Sequence, residues 1–331
     1  MKWYPWLTVP YRDILSRYQL ARGHHALLLH SKPGTGELSL CYAISRWLIC
    51  RQPNGIKSCG RCHSCRLMLA GNHPDFYQPE LEKNQQSLGG DSIRTIIDGL
   101  YERAYQGGMK VVSLLYVEQL TELAVNVLLK TLEEPPENTY FLLVCQTPAR
   151  LLATLRSRCF YWLLRTPHEE LGLRWLREMG YDNPLSAVTA LRLCDGAPLA
   201  AKILLNPIRW QVREELCVVL REVLTHGDLL ALLPTLNRDK DIKPLHWLLS
   251  LLTDALKWQQ NAQEFIINAD KTPLVAELAA RWPARVLMIH WQQLLHCLLQ
   301  CQEISGVNRE LFLTYHLLNC EYGVANAYAF L

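Results

Sequence analysis

An apolar run, Ala26-Leu27-Leu28-Leu29, leads into Ser31-Lys32-Pro33-Gly34-Thr35-Gly36-Glu37-Leu38 and then into helical periodicity. This junction constrains the fold more than any other stretch of the chain. A buried strand that turns through glycines into a helix is the frame of the loop G-x-x-x-x-G-K-[ST]. In that loop backbone N–H groups and a lysine cradle phosphates, and a hydroxyl meets magnesium. Gly36 fills the second glycine position, but Ser31 stands at the first, Glu37 at the lysine and Leu38 at the hydroxyl. A carboxylate repels the phosphates that a lysine attracts, and leucine cannot ligate a metal. Lys32 is no substitute, because it lies on the wrong side of Gly34. The stretch predicts a nucleotidase frame without a working site of its own. Gly34 and Gly36 still leave N–H groups at a helix start, where a stray phosphate or sulfate could sit.

A working site of this kind also needs an acidic pair at the end of a second strand, to hold magnesium and activate water. The candidate strand segment Lys110–Glu118 carries Leu115-Tyr116 where Asp-Glu is expected, and Glu118, two residues beyond that pair, reads as a solvated acid at a helix entry. Two motifs are broken in the same direction. Between Ala26–His30, Val111–Val117 and Tyr140–Val144 lie helical patterns: Ser39–Cys50, a helix starting at Asp91 as N-cap, and Leu123–Glu134, stopped by Pro135-Pro136. Strands alternating with helices predict a parallel sheet with crossover helices.

After Arg165-Thr166-Pro167 only helical periodicity remains. Short pieces are expected at Glu169–Met179 and Pro184–Leu193, and longer helices from Trp210 onward. Leu245, Leu248, Leu249, Leu252 and Leu256 form one stripe, and Leu287, Trp291, Leu294, Leu295 and Leu298 another. Such stripes read first as intramolecular core. Asn308 is the expected cap of a last helix carrying Leu311, Tyr315 and Leu318. The expected domains are 1–166, 167–207 and 208–331. The net charge of +3 over 331 residues is too small for a general nucleic-acid coat, and Arg94, Arg103 and Lys110 read as ordinary solvated charges. No signal core follows the first lysine and no apolar run is long enough to span a bilayer, so a cytoplasmic protein is expected.

Of twelve cysteines, four are bunched as Cys50, Cys59, Cys62 and Cys65 in the pattern C-x8-C-G-R-C-H-S-C. Overlapping C-x-x-C turns let sulfurs converge, and four thiolates suit a closed, structural zinc site. His63 is a competing ligand, though the spacing favours the all-cysteine set. A redox pair or unrelated buried thiols are the alternatives. The other eight cysteines are scattered through apolar sequence, and most read as small buried hydrophobes.

Two further segments carry a resemblance. Asn126-Val127-Leu128-Leu129-Lys130-Thr131-Leu132-Glu133-Glu134-Pro135-Pro136 resembles the segment after the acidic strand in clamp-loader ATPases of the AAA+ superfamily. Leu151-Leu152-Ala153-Thr154-Leu155-Arg156-Ser157-Arg158-Cys159 resembles their S-R-C motif, and Gly306-Val307-Asn308-Arg309-Glu310-Leu311 their C-terminal collar. With the four-cysteine insertion, the match narrows to the clamp loader of bacterial DNA polymerase III and spans the whole chain.

The resemblance implies an α/β AAA+ core, a small helical lid and an all-α collar. It implies that Arg158, flanked by Ser157 and Cys159, is an arginine finger reaching a neighbour's nucleotide, where a planar, always-charged donor is needed. On the residues alone, Arg158 could equally cap a helix or pair with a surface acid. The first sensor position falls at about Cys145-Gln146, and the second sensor arginine is replaced within Ala197-Pro198-Leu199. No ATP is expected on this chain, and neither ATPase nor polymerase activity of its own. Implied partners are ATPase subunits of the gamma/tau type and the delta subunit in a five-subunit ring, with the sliding clamp and primed DNA reached through the complex and no membrane contact. A zinc-dependent DNA-binding protein on a degenerate ATPase frame, or a divergent ATPase, are the alternative functions.

Overall fold

Strand β1 (Ala26–Ser31) lies inside a five-stranded sheet with β2 (Phe76–Tyr77), β3 (Lys110–Leu114), β4 (Thr139–Cys145) and β5 (Phe160–Leu164), in the order β2-β3-β4-β1-β5. Every pairing is parallel: Leu28 sits beside Leu143, Val112 beside Phe141 and Leu27 beside Phe160. The computed structural model describes residues 2–79, 87–303 and 308–328. It divides into two compact units, Met1–Pro167 and His168–Leu331.

In the first unit, β1, β3 and β4 are buried almost throughout, which is why they read as continuous apolar runs. The edge strand β5 alternates instead, half-buried Phe160 and Trp162 with exposed Tyr161 and Leu163. Short β2 and aromatic β5 were not anticipated from the sequence; two residues, or five at an edge, give too little periodicity. Helices α1 (Thr8–Gln19), α2 (Glu37–Ile49), α3 (His63–Ala70), α4 (Gly90–Tyr101), α5 (Glu122–Glu133) and α6 (Ala153–Ser157) accompany the sheet. Ile93, Ile97 and Leu100 of α4 and Leu128 and Leu132 of α5 join Leu28, Val112, Phe141 and Leu143 in one core. Thr121 caps α5, its hydroxyl accepting from the Ala124 N–H at 3.2 Å. Helix α4 begins two residues earlier than expected: Gly89, not Asp91, is the N-cap, and Asp91 pairs with Arg94 at 3.1 Å.

Lys110 corrects its expected role as a solvated charge. It is 5% exposed, and its ammonium donates to the carbonyls of Leu100 and Glu102. Buried Asp75 accepts from the N–H groups of Tyr105 (2.8 Å) and Gln106 (2.9 Å). Together they fasten the turn between α4 and β3.

Among the described residues the second unit contains helices only: α7 (Glu169–Glu178), α8 (Pro184–Leu193), α9 (Pro198–Leu204), α10 (Pro207–His226), α11 (Leu233–Leu236), α12 (Lys243–Gln259), α13 (Thr272–Arg281), α14 (Ala284–Glu303) and α15 (Arg309–Tyr328). Helix α10 starts before Trp210, because Asn206 caps it and Pro207 suits its first turn. Leu245, Leu248, Leu249 and Leu252 are buried, as are Leu287, Leu294 and Leu298. Asn308 caps α15, but Leu311 and Tyr315 on that helix are exposed. Gly306 and Val307 of the collar motif lie outside the described residues.

Fully buried Arg213 donates to Asp270 (2.6 and 2.9 Å) and to Asn268 (2.8 Å). Asn268 in turn donates through Nδ2 to Asp254 at 2.8 Å, and Asp254 also accepts from the Asn268 and Ile267 N–H groups. This buried polar knot ties α10, α12 and the segment before α13 together. Among the described residues no helix is long and apolar enough to cross a membrane.

Candidate functional site

The carboxyl ends of parallel strands are where such folds place ligands, and the loop Ser31–Leu38 leaves the end of β1 there. Gly34 (φ 80°) and Gly36 (φ 101°) occupy left-handed conformations that favour glycine. A Cβ on Gly36 would also stand 3.1 Å from Tyr4 and 3.2 Å from Leu7. The Trp6 indole donates to the Thr35 carbonyl at 2.6 Å, so the N-terminal segment packs directly on the loop.

Glu37 does not project into the pocket as the missing lysine would. It is 3% exposed, and its carboxylate turns back to accept from the Gly36 N–H at 2.9 Å and the Gly34 N–H at 3.4 Å. The Tyr116 hydroxyl donates to the same carboxylate at 3.5 Å. Burial, with the Glu37 charge beside it, raises the Tyr116 phenol above its ordinary range. The donors that would meet a phosphate therefore meet a side-chain anion of the same chain. Leu38 is half-buried, and Ser31 is buried with no partner for its hydroxyl.

Just past the end of β3, where an acidic pair was expected of a working site, stand Leu115 and Tyr116, with Tyr116 left-handed at φ 57°. Glu118 is a correction to the sequence reading. Its Oε1 accepts from the backbone N–H groups of Gln146 and Thr147 (the latter at 2.8 Å), tying this turn to the end of β4. Cys145 beside it is buried and its thiol is pushed up to about 12. Ala197 and Pro198, where the resemblance implied the second sensor, are buried.

Arg158 follows α6, at the opposite end of the sheet. Its Nη1 donates to the Thr154 carbonyl at 2.9 Å, and its Nη2 donates to Glu133 Oε1. The Ser157 hydroxyl donates to the same Thr154 carbonyl at 3.0 Å, and the Cys159 thiol is pushed up to about 12 by burial. Within the chain Arg158 thus does both things a structural arginine does, capping a helix carbonyl and pairing with an acid. It stays 31% exposed.

The four bunched cysteines are brought together. Their sulfur atoms all lie within 4.8 Å of one another, close to the edge of about 3.8 Å that four thiolates make around one tetrahedral zinc. Backbone N–H groups of Arg61 and Cys62 hold the Cys59 thiol down, to about 6. Burial pushes the Cys65 thiol up to about 12. Exposed His63 is not part of the group. Ring donors dock this insertion on the helices: Tyr11 to the Ile56 carbonyl (2.8 Å), Trp47 to Gly55 (2.9 Å) and Tyr42 to Met68 (2.8 Å).

Relatives decide the family. Residues 10–168 match the family described as DNA polymerase III, delta subunit, and residues 207–322 match its C-terminal counterpart. Between them, residues 167–206 match the AAA+ ATPase lid domain of DNA polymerase III subunit delta'. The chain is 56% identical to DNA polymerase III subunit delta' of Yersinia pestis, over 97% of this chain and 96% of that one. The chain belongs to the DNA polymerase III delta-prime family. The Escherichia coli K12 delta-prime subunit is 44% identical over the same shares of the two chains. Among solved structures, a DNA polymerase III gamma subunit-related protein of Thermotoga maritima aligns with 94% of this chain and 99% of its own, at 18% identity and a TM-score of 0.47.

The fold is therefore that of a delta-prime chain: a parallel AAA+ core with flanking helices, an AAA+ lid and a helical C-terminal domain. Glu118 and Glu133 are the residues that sequence reasoning missed in this delta-prime frame. Glu118 looked like one more surface acid, and Glu133 was quoted only as part of a motif.

Proposed function

We propose that this chain is the non-hydrolysing subunit of a DNA polymerase III clamp loader. It supplies Arg158 in trans to the nucleotide of a neighbouring gamma/tau-type ATPase subunit. With the delta subunit these form a five-membered ring that places a sliding clamp on primed DNA, in the cytoplasm. The observation that carries the reading is the placement of the two motifs on the sheet. Leu27 pairs with Phe160 and Ser31 with Leu164, so β1 and β5 run side by side from Arg158 toward the loop. The four rises between the first and last of these rungs span about 13 Å. Arg158 stands before the first rung and the loop after the last, so a nucleotide within its reach belongs to another molecule. Glu37 supports the other half of the reading, because it takes the loop's own donors.

The test is a reconstituted complex with Arg158→Ala. ATP hydrolysis stimulated by clamp and primed DNA should fall by about tenfold, less than the ~10³ a finger supplies at one site because other sites keep theirs. Unchanged hydrolysis would sink the assignment.

The cysteine cluster fits structural zinc, with Cys50, Cys59, Cys62 and Cys65 as its ligands and no position left for water. Bound there, the ion would cross-link the insertion that Tyr11, Trp47 and Tyr42 dock on the helices. Metal analysis of protein prepared without chelator should find zinc, and Cys62→Ser should release it. Metal-free protein would refute the cluster reading.

A further inference from the structure

Glu133 is the last residue of α5, and its position is fixed by chemistry on both sides. Pro135-Pro136 cannot continue the helix, and Leu132 just before it is buried in the core. Arg158 emerges from α6, which is anchored by Leu155 at 0% exposure. The two meet at one guanidinium: Nη2 on Glu133 Oε1, Nη1 on the Thr154 carbonyl. A guanidinium has five N–H donors, so these bonds fix its plane and leave donors to spare.

The ion pair itself is half-open to water, with side chains 31% and 50% exposed. Pairs of that kind contribute little to folding, so stability is a poor account of it. Positioning is a better one. An unrestrained arginine loses its rotamer freedom when it docks on a phosphate, whereas a splinted one has lost it beforehand.

We propose that Glu133 is a positioning residue that holds the Arg158 guanidinium in the orientation it presents to a neighbouring subunit's nucleotide. The proposal rests on the trans reading of Arg158 and adds to it a residue on a different helix. It assigns Glu133 no contact with nucleotide.

The experiment is a double-mutant cycle in the reconstituted complex, with clamp- and DNA-stimulated ATP hydrolysis as the readout. Glu133→Ala should lower kcat by roughly threefold to tenfold, the scale of a lost orientation, with little change in KM. Glu133→Gln keeps an acceptor and should recover part of the loss. In the Arg158→Ala background Glu133→Ala should add nothing, and the thermal midpoint of the chain should not move with either Glu133 variant. A Glu133→Ala loss that adds to that of Arg158→Ala, or a shifted midpoint, would make Glu133 structural and overturn the proposal. A rise in hydrolysis would make it a restraint that competes with nucleotide, and would overturn it equally. If Arg158→Ala lowers hydrolysis and Glu133→Ala does not, the finger survives and the splint falls. If Arg158→Ala has no effect, both fall.

Discussion

Glu37 and Arg158 are both charged, both fall in segments that resemble nucleotide-site motifs, and both are bonded within the chain. Glu37 is 3% exposed and takes two backbone N–H groups of its own loop. Arg158 is 31% exposed, shares its bonds between one carbonyl and one half-exposed carboxylate, and keeps donors in reserve. Degree of burial separates two outcomes that look alike as contacts. A buried charge whose partners are backbone groups has become part of the fold. A partly exposed charge on a side-chain partner is held, but remains available.

The sharpest way to break this contrast is to remove each charge from the isolated chain and measure its denaturant midpoint. Glu37→Ala strands two loop donors and should cost about 2 kcal/mol. Arg158→Ala should cost less than about 1 kcal/mol. Equal losses would mean that the two side chains do the same job. A second measurement asks what the emptied loop accepts. With Glu37→Ala, inorganic phosphate near ten times its dissociation constant should restore about 1.4 kcal/mol, while wild type should not respond. Phosphate stabilising wild type would show that the carboxylate does not fill the loop. The smallest effect is a salt dependence. Raising salt toward about 1 M should erase the Arg158→Ala difference and leave most of that for Glu37→Ala, because buried charges are screened less.

What could be read in the sequence was local. The strand–loop–helix frame and the cysteine spacing depend on neighbours within a few positions, and the structure forms the one and brings the sulfurs of the other together. Bonds between distant segments could not be read. Glu37 was expected to repel phosphate from the lysine position. Its turn back depends on the left-handed loop glycines and on Tyr116, 79 positions away. Glu118 looked solvated because its partners, the N–H groups of Gln146 and Thr147, are 28 and 29 residues further on. Lys110 looked like a surface charge because lysine usually is one; only closure of the α4–β3 turn gives its ammonium two carbonyls. Leu311 and Tyr315 fall on the outward side of α15, a distinction that helical periodicity alone does not make.

The polar knot in the second unit has a consequence for how this sequence can drift over time. Arg213, Asp254 and Asn268 are each 0% exposed, and each completes the hydrogen bonds of another. Losing one partner of a buried ion pair such as Arg213–Asp270 costs about 3–5 kcal/mol, and stranding a buried polar group, as loss of Asn268 would, costs about 1–3 kcal/mol, large shares of what most domains have. Single replacements at these positions are therefore closed routes, and exchange for an apolar cluster requires several positions to change together. Among descendants of this chain the knot should be inherited whole or replaced whole, and mixed sets should be rare.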